Sequence, residues 1–124
     1  MGMQAFQKQE YADAMKYFKE AAKAGNKTAM HNTAVLYLQG LGVEQSPELA
    51  TEWMQKAADA GYTEDAALLA DRFFRGIGCR RNLALAEQYA RRHCEAFGSS
   101  RAMETILEQC SLLKQFPDEM HGLF

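Results

Sequence analysis

Ala57-Ala58-Asp59-Ala60-Gly61 restates, thirty-six positions on (residue 21 to residue 57), the run Ala21-Ala22-Lys23-Ala24-Gly25, and Gly40-Leu41-Gly42 returns at the same interval as Gly76-Ile77-Gly78. Self-similarity at a period of this size marks a stacked-repeat architecture, in which neighbouring units bury each other's apolar faces. Such architectures mostly offer a surface to a partner, so the period points to binding rather than catalysis.

Reading outward in this register gives two full rows, from Asn26 to Gly61 and from Tyr62 to Gly98, each with two helical patterns. Met30, Thr33, Ala34 and Tyr37 are matched by Ala66, Leu69, Ala70 and Phe73, the i, i+3, i+4, i+7 spacing of one helical face. In the second pattern Ala50, Trp53, Met54, Ala57 and Ala58 are matched by Ala86, Tyr89, Ala90, His93 and Cys94. The same frame runs back into Ala14, Tyr17, Phe18, Ala21 and Ala22. Each row is therefore predicted to be a helix hairpin, with a large aromatic in each helix and alanines where backbones approach.

The boundaries have local causes. Ser46-Pro47-Glu48 offers a side-chain acceptor at an N-cap, a proline where no amide donor is needed and an acid at the positive helix end. Asn82 stands at the matching place, and Ser99 or Ser100 caps a last helix to about Gln115, ahead of Pro117. Gly40 and Gly76 end the first helix of each row, and Gly25 and Gly61 end helices of the second type. At the N-terminus, Gly2 to Lys8 is predicted to be a short helix, Gln9-Glu10 a turn and Tyr11 to Ala24 a helix. In the last helix Ala102 and Ile106 keep the register of Ala66 and Ala70, while Leu112 replaces the expected glycine. A single domain over residues 1–116 follows: an incomplete leading repeat (1–25), two repeats (26–61 and 62–98), a divergent capping helix (99–116) and a tail (117–124).

With 124 residues, 48% of them hydrophobic and 24% charged, the chain has ordinary globular composition. A net charge of -2 supplies no broad positive field for phosphates, which argues against nucleic acid. No apolar run approaches the roughly 20 residues needed to span a bilayer, and Met1 to Phe18 lacks the pattern of a signal peptide. The expected compartment is cytoplasmic for the chain as it stands, or periplasmic or secreted if it is a fragment. Cys79, Cys94 and Cys110 form no CxxC pair, so neither a disulfide framework nor a zinc site is indicated.

The stretch Ala34-Val35-Leu36-Tyr37-Leu38-Gln39-Gly40-Leu41-Gly42-Val43, followed by Ala50, Trp53, Lys56, Ala57, Ala58 and Gly61, resembles a Sel1-like repeat. These repeats are relatives of tetratricopeptide repeats with a longer loop. The second row resembles it more loosely through Ala70, Phe73, Gly76, Gly78, Ala86, Tyr89 and Gly98. The resemblance covers roughly residues 5 to 110. It implies an all-α, right-handed α/α superhelix, a solenoid of helix hairpins that serves as an adaptor or scaffold for protein partners. A cysteine-rich secreted branch of the family pairs a cysteine at the position of Cys94 with another eight residues on. Ala102 stands there, so that disulfide is not supported.

By analogy with tetratricopeptide repeats, the first helix of each hairpin lines a concave side, and its residues off the core spacing are His31, Val35, Leu38 and Gln39, then Ala67, Asp71, Phe74 and Arg75. Leu38 and Phe74 hold equivalent places and are the candidate anchors of a protein or peptide, with His31, Gln39 and Arg75 beside them. The competing structural reading packs both between helices or under the following loop. Gly40 and Gly76 follow helices, whereas phosphate cradles precede them, so no nucleotide loop is read. No cofactor, metal or catalytic residue is expected, since His31, His93 and His121 are far apart in the register. Two further readings are a metal site from His93, Cys94 and Cys110, and redox control at Cys79, expected to be an exposed thiol activated by Arg80 and Arg81. The alternatives to an interaction module are a self-associating structural repeat and a small hydrolase or ligand-binding protein resembling the cysteine-rich branch.

Overall fold

The computed structural model describes residues 10–115, and these contain six α-helices, one 3-10 turn and no strand. The helices are α1 (Tyr11–Lys23), α2 (Lys27–Gln39), α3 (Pro47–Asp59), α4 (Ala66–Arg75), α5 (Leu83–Phe97) and α6 (Arg101–Leu113), with the 3-10 turn at Thr63–Asp65. The described residues fall into two compact units, one ending at Asp65 and the other starting at Ala66. The N-terminal helix predicted from Gly2 to Lys8, the stop at Pro117 and the tail lie outside the described residues.

In the first unit α2 packs on α1 and α3. Its core is Ala14, Met15, Phe18, Ala22, Ala29, Ala34, Leu36, Tyr37, Ala50, Met54, Ala57 and Ala58. Alanines at the seams let the helices approach closely. Two buried hydroxyls are satisfied within their own helices: Thr33 donates to the Ala29 carbonyl (2.8 Å) and Thr51 to that of Pro47 (2.9 Å). Asn26, Ser46, Asn82 and Ser100 each accept the amide three residues on, as N-caps do, and each such cap contributes about 1 kcal/mol. Helices α1 and α3 end in paired Schellman bonds. The Gly25 and Asn26 amides donate to Ala22 and Ala21, and those of Gly61 and Tyr62 to Ala58 and Ala57. Gly25 and Gly61 carry the positive φ this geometry needs.

In the second unit α5 packs on α4 and α6, and α4 also touches α6. Phe73 and Tyr89 stack at its centre, 5.9 Å between centroids. Around them lie Ala66, Leu69, Ala70, Ala86, Ala90, Met103, Ile106, Cys110 and Leu113.

Several core expectations shift, and Ala21, His93 and Cys94 are half-buried rather than buried. Tyr17 is 37% exposed, because the buried stripe of α1 runs through Ala14, Met15, Phe18 and Ala22 and leaves residue 17 at its edge. Met30 and Trp53 are half-buried rather than buried, and the Lys56 ammonium lies over the Trp53 ring at 4.3 Å. On α6 Ala102 is exposed and Met103 takes the core place, so the stripe is Met103, Ile106, Cys110 and Leu113. Helix α4 begins only at Ala66: Tyr62 stands where Asn26 caps α2, offers no short acceptor, and the chain makes a 3-10 turn first.

Candidate interaction surface

Both hairpins are closed by loops built on one plan. The Gly40 and Leu41 amides donate to the Leu36 carbonyl, and the Gly76 and Ile77 amides to that of Arg72. The Ser46 amide returns to Tyr37 and the Asn82 amide to Phe73, each at 2.9 Å. Positive φ recurs at Gly40 and Gly42 (69° and 73°) and at Gly76 and Gly78 (75° and 67°). Gly42 has a second reason to be glycine: a Cβ there would lie 2.4–2.6 Å from the Tyr11 and Ala12 backbone, so the loop rests directly on the start of α1.

Of the residues proposed from the sequence as partner-binding, Leu38 and Gln39 end α2 and Phe74 and Arg75 end α4, next to these loops. In the first unit Val35 and Leu38 are half-buried and Gln39 is exposed. The Gln45 side chain donates to the Leu38 carbonyl at 2.7 Å, which ties the end of α2 to its loop. In the second unit Phe74 is half-buried, with the Arg81 guanidinium 5.6 Å from its ring centre. Asp71 and Arg75 form an i, i+4 ion pair at 2.9 Å, and Ala67 is half-buried. The Phe74 ring thus meets a residue of the loop that follows it, whereas Leu38 is tied to its loop through its backbone carbonyl.

His31 is engaged within its own unit. Its Nδ1 lies 2.9 Å from both carboxylate oxygens of Asp65, which is 3% exposed, and its ring stacks on Tyr62 at 4.5 Å. Burial, then the Asp65 and Glu64 carboxylates, push the Tyr62 phenol up from its ordinary value. The cluster joins α2 to the 3-10 turn and holds the imidazole in one orientation. Nothing in the local sequence announces it, because its members meet only when the hairpin closes.

Cys79 departs from expectation. The thiol is half-buried, sits 3.5 Å from the Arg72 and Ile77 carbonyls, and burial pushes its pKa up against the opposing charge of Arg72. Positive charge at Arg80 and Arg81 does not activate it, because the sulfur turns inward to the loop backbone. Burial likewise raises the Cys110 thiol. Cys79, Cys94 and Cys110 are free thiols, and among the described residues no three His, Cys, Asp or Glu side chains converge as metal ligands would. His93 tilts against Phe97 at 5.0 Å.

Leu36 and Arg72 are among the buried positions that escaped the sequence pattern. Leu36 is 0% exposed and its repeat equivalent Arg72 is 6% exposed. A leucine matched to an arginine reads as a variable surface place, and the register therefore concealed both.

The Sel1 repeat pattern matches residues 4–26, 27–62 and 64–96. An uncharacterised protein of Neisseria meningitidis serogroup B is 29% identical over 111 residues, covering 90% of this chain and 23% of its own length. A protective antigen of uropathogenic Escherichia coli strains that displays an SLR fold superposes with a TM-score of 0.71 at 24% identity, over 95% of this chain and 25% of that one. A Sel1 repeat protein of Oxalobacter formigenes superposes with a TM-score of 0.64 at 28% identity, over 77% of this chain and 38% of that one. The chain thus spans about a quarter of the length of the Neisseria relative. Its fold class is the all-α solenoid of these neighbours, and no helix among the described residues is long and apolar enough to cross a membrane. Sel1 repeats typically serve as protein–protein interaction modules, generally as scaffolds rather than enzymes. With the repeat pattern matched three times in succession over most of its length, and with capped hairpins and glycine loops at each turn, the chain belongs to the Sel1 repeat family.

Proposed function

We propose that the chain is a non-enzymatic adaptor segment that presents the first helix of each hairpin to a protein or peptide partner. The observation that carries this reading is the recurrence, at equivalent places in the two units, of a large apolar side chain left half-buried: Leu38 in one and Phe74 in the other. In the first unit Val35 and Gln39 accompany Leu38, and the Asp65 contact holds His31 in place. In the second, the Asp71–Arg75 pair flanks Phe74. The helices that carry these groups are formed before any partner arrives, so little backbone ordering entropy is lost on binding. Hot spots of this kind combine an apolar anchor with adjacent polar groups.

Affinity capture from source cells with the wild-type chain and with Leu38→Glu and Phe74→Glu variants tests the reading. A protein recovered with wild type and lost with either variant, each retaining its helical circular dichroism, is the expected result. Equal recovery by all three chains overturns it. Light scattering that rises with concentration for the purified chain alone would assign the surface to self-association instead.

A further inference from the structure

The two loops share a backbone but not a charge. Where the first hairpin has Gln39, Glu44 and Gln45, the second has Arg75, Arg80 and Arg81. The matched hydrogen bonds and positive-φ glycines show that closing this loop does not require the cations, since the first loop closes on one acid and two amides. All three arginines are exposed, and Ile77 at the tip is 39% exposed. Their local settings differ. Arg75 pairs with Asp71, Arg81 lies over the Phe74 ring, and Arg80 is exposed next to Cys79. A guanidinium over an aromatic face still has N–H donors available to a carboxylate.

We propose that the segment from Arg75 to Arg81 is a docking surface for an acidic protein segment, one carrying Asp or Glu side chains around an apolar residue that meets Ile77. The proposal deepens the interaction-module reading by naming the chemistry of the partner at the second unit. Arginine forks recognise carboxylates in paired hydrogen bonds, and charge complementarity guides encounter and register. Three cations release too few counterions to hold nucleic acid on a chain of net charge -2. They also fall short of the four to eight basic residues of a typical lipid-binding cluster.

The molecule supplies its own control: the Arg75→Gln, Arg80→Glu, Arg81→Gln variant gives the second loop the residues with which the first already closes. Fluorescence anisotropy is measured on the full chain with a labelled peptide alternating Glu and Leu, and with one alternating Lys and Leu. Parallel arms use phosphatidylserine vesicles and a single-stranded oligonucleotide. The acidic peptide is expected to bind wild type, to weaken as salt rises, and to bind the triple variant at least about tenfold more weakly, with the thermal melt unchanged. Equal affinity for wild type and variant overturns the proposal, as does absence of binding at low salt or tighter binding of the vesicles or oligonucleotide. Leu38→Glu is expected to keep the acidic peptide. Failure of the wild-type chain to bind the acidic peptide, with partner capture still lost in the Leu38→Glu and Phe74→Glu variants, therefore removes this inference alone. The reverse outcome removes the Leu38 and Phe74 reading and leaves the loop standing.

Discussion

The first hairpin, α2 with α3, and the second, α4 with α5, close their loops through the same hydrogen bonds yet differ in what they bury and how they start. The first buries Leu36 where the second buries Arg72, and it begins on an Asn26 cap where the second begins on a 3-10 turn. The first ends in a Schellman pair at Gly61. Helix α5 instead runs on to Phe97, and Gly98 closes it with one bond to Cys94. The lesson is that a repeat conserves its backbone bonds, which admit few solutions, and varies the side chains that those bonds leave free.

The sharpest way to break the equivalence is to exchange its buried pair. Leu36→Arg places a charge at a fully enclosed position and is expected to cost about 3 kcal/mol or more, read from urea denaturation. Arg72→Met is expected to cost much less, because an unbranched apolar chain refills the site. The same variant slows alkylation of Cys79 near neutral pH, since Arg72 is the charge that opposes the rise of its pKa. If Leu36→Arg melts as wild type does, the two positions are not structurally distinct.

The loops are tested next through their glycines. Gly42→Ala drives a Cβ into the Tyr11–Ala12 backbone as well as straining a φ of 73°, and is expected to cost about 2–3 kcal/mol. Gly25→Ala, at a φ of 93° with nothing within 4 Å, is expected to cost about 1 kcal/mol from strain alone. Thermal melts of the two variants check the order, and equal losses would show that the loop does not rest on α1.

The smallest effect belongs to a contact that the second unit has between α5 and α6. Lys114 and then Arg91 hydrogen-bond Glu87 and hold its carboxyl below the ordinary range, so it adds stability above its unfolded-state pKa and loses it as pH falls through the folded-state value. Both cations are well exposed, which limits the gain to under about 1 kcal/mol. Glu87→Gln is expected to lower the melting temperature slightly at pH 7 and not at pH 3.

Much of this fold was legible because its signals are local. Ser46-Pro47, Asn82 and Ser100 announce helix starts, glycines announce ends, and the alanine and aromatic spacing marks the seams. The candidate surface was legible only in part. Leu38 and Phe74 stand out by register, whereas their contacts with Gln45 and Arg81 depend on how each loop returns. Cys79 was misjudged because adjacent arginines in sequence are not the groups its sulfur meets.

The period, the hairpins and their caps are readable from the chain alone, since helix periodicity and glycine conformations are properties of neighbouring residues. That Leu36 and Arg72 lie inside, that His31 and Asp65 meet, and that Gly42 rests on backbone emerge only from the folded arrangement. Those outcomes turn on the approach of segments distant in the chain, where burial and contact are set by packing and leave no mark on local pattern.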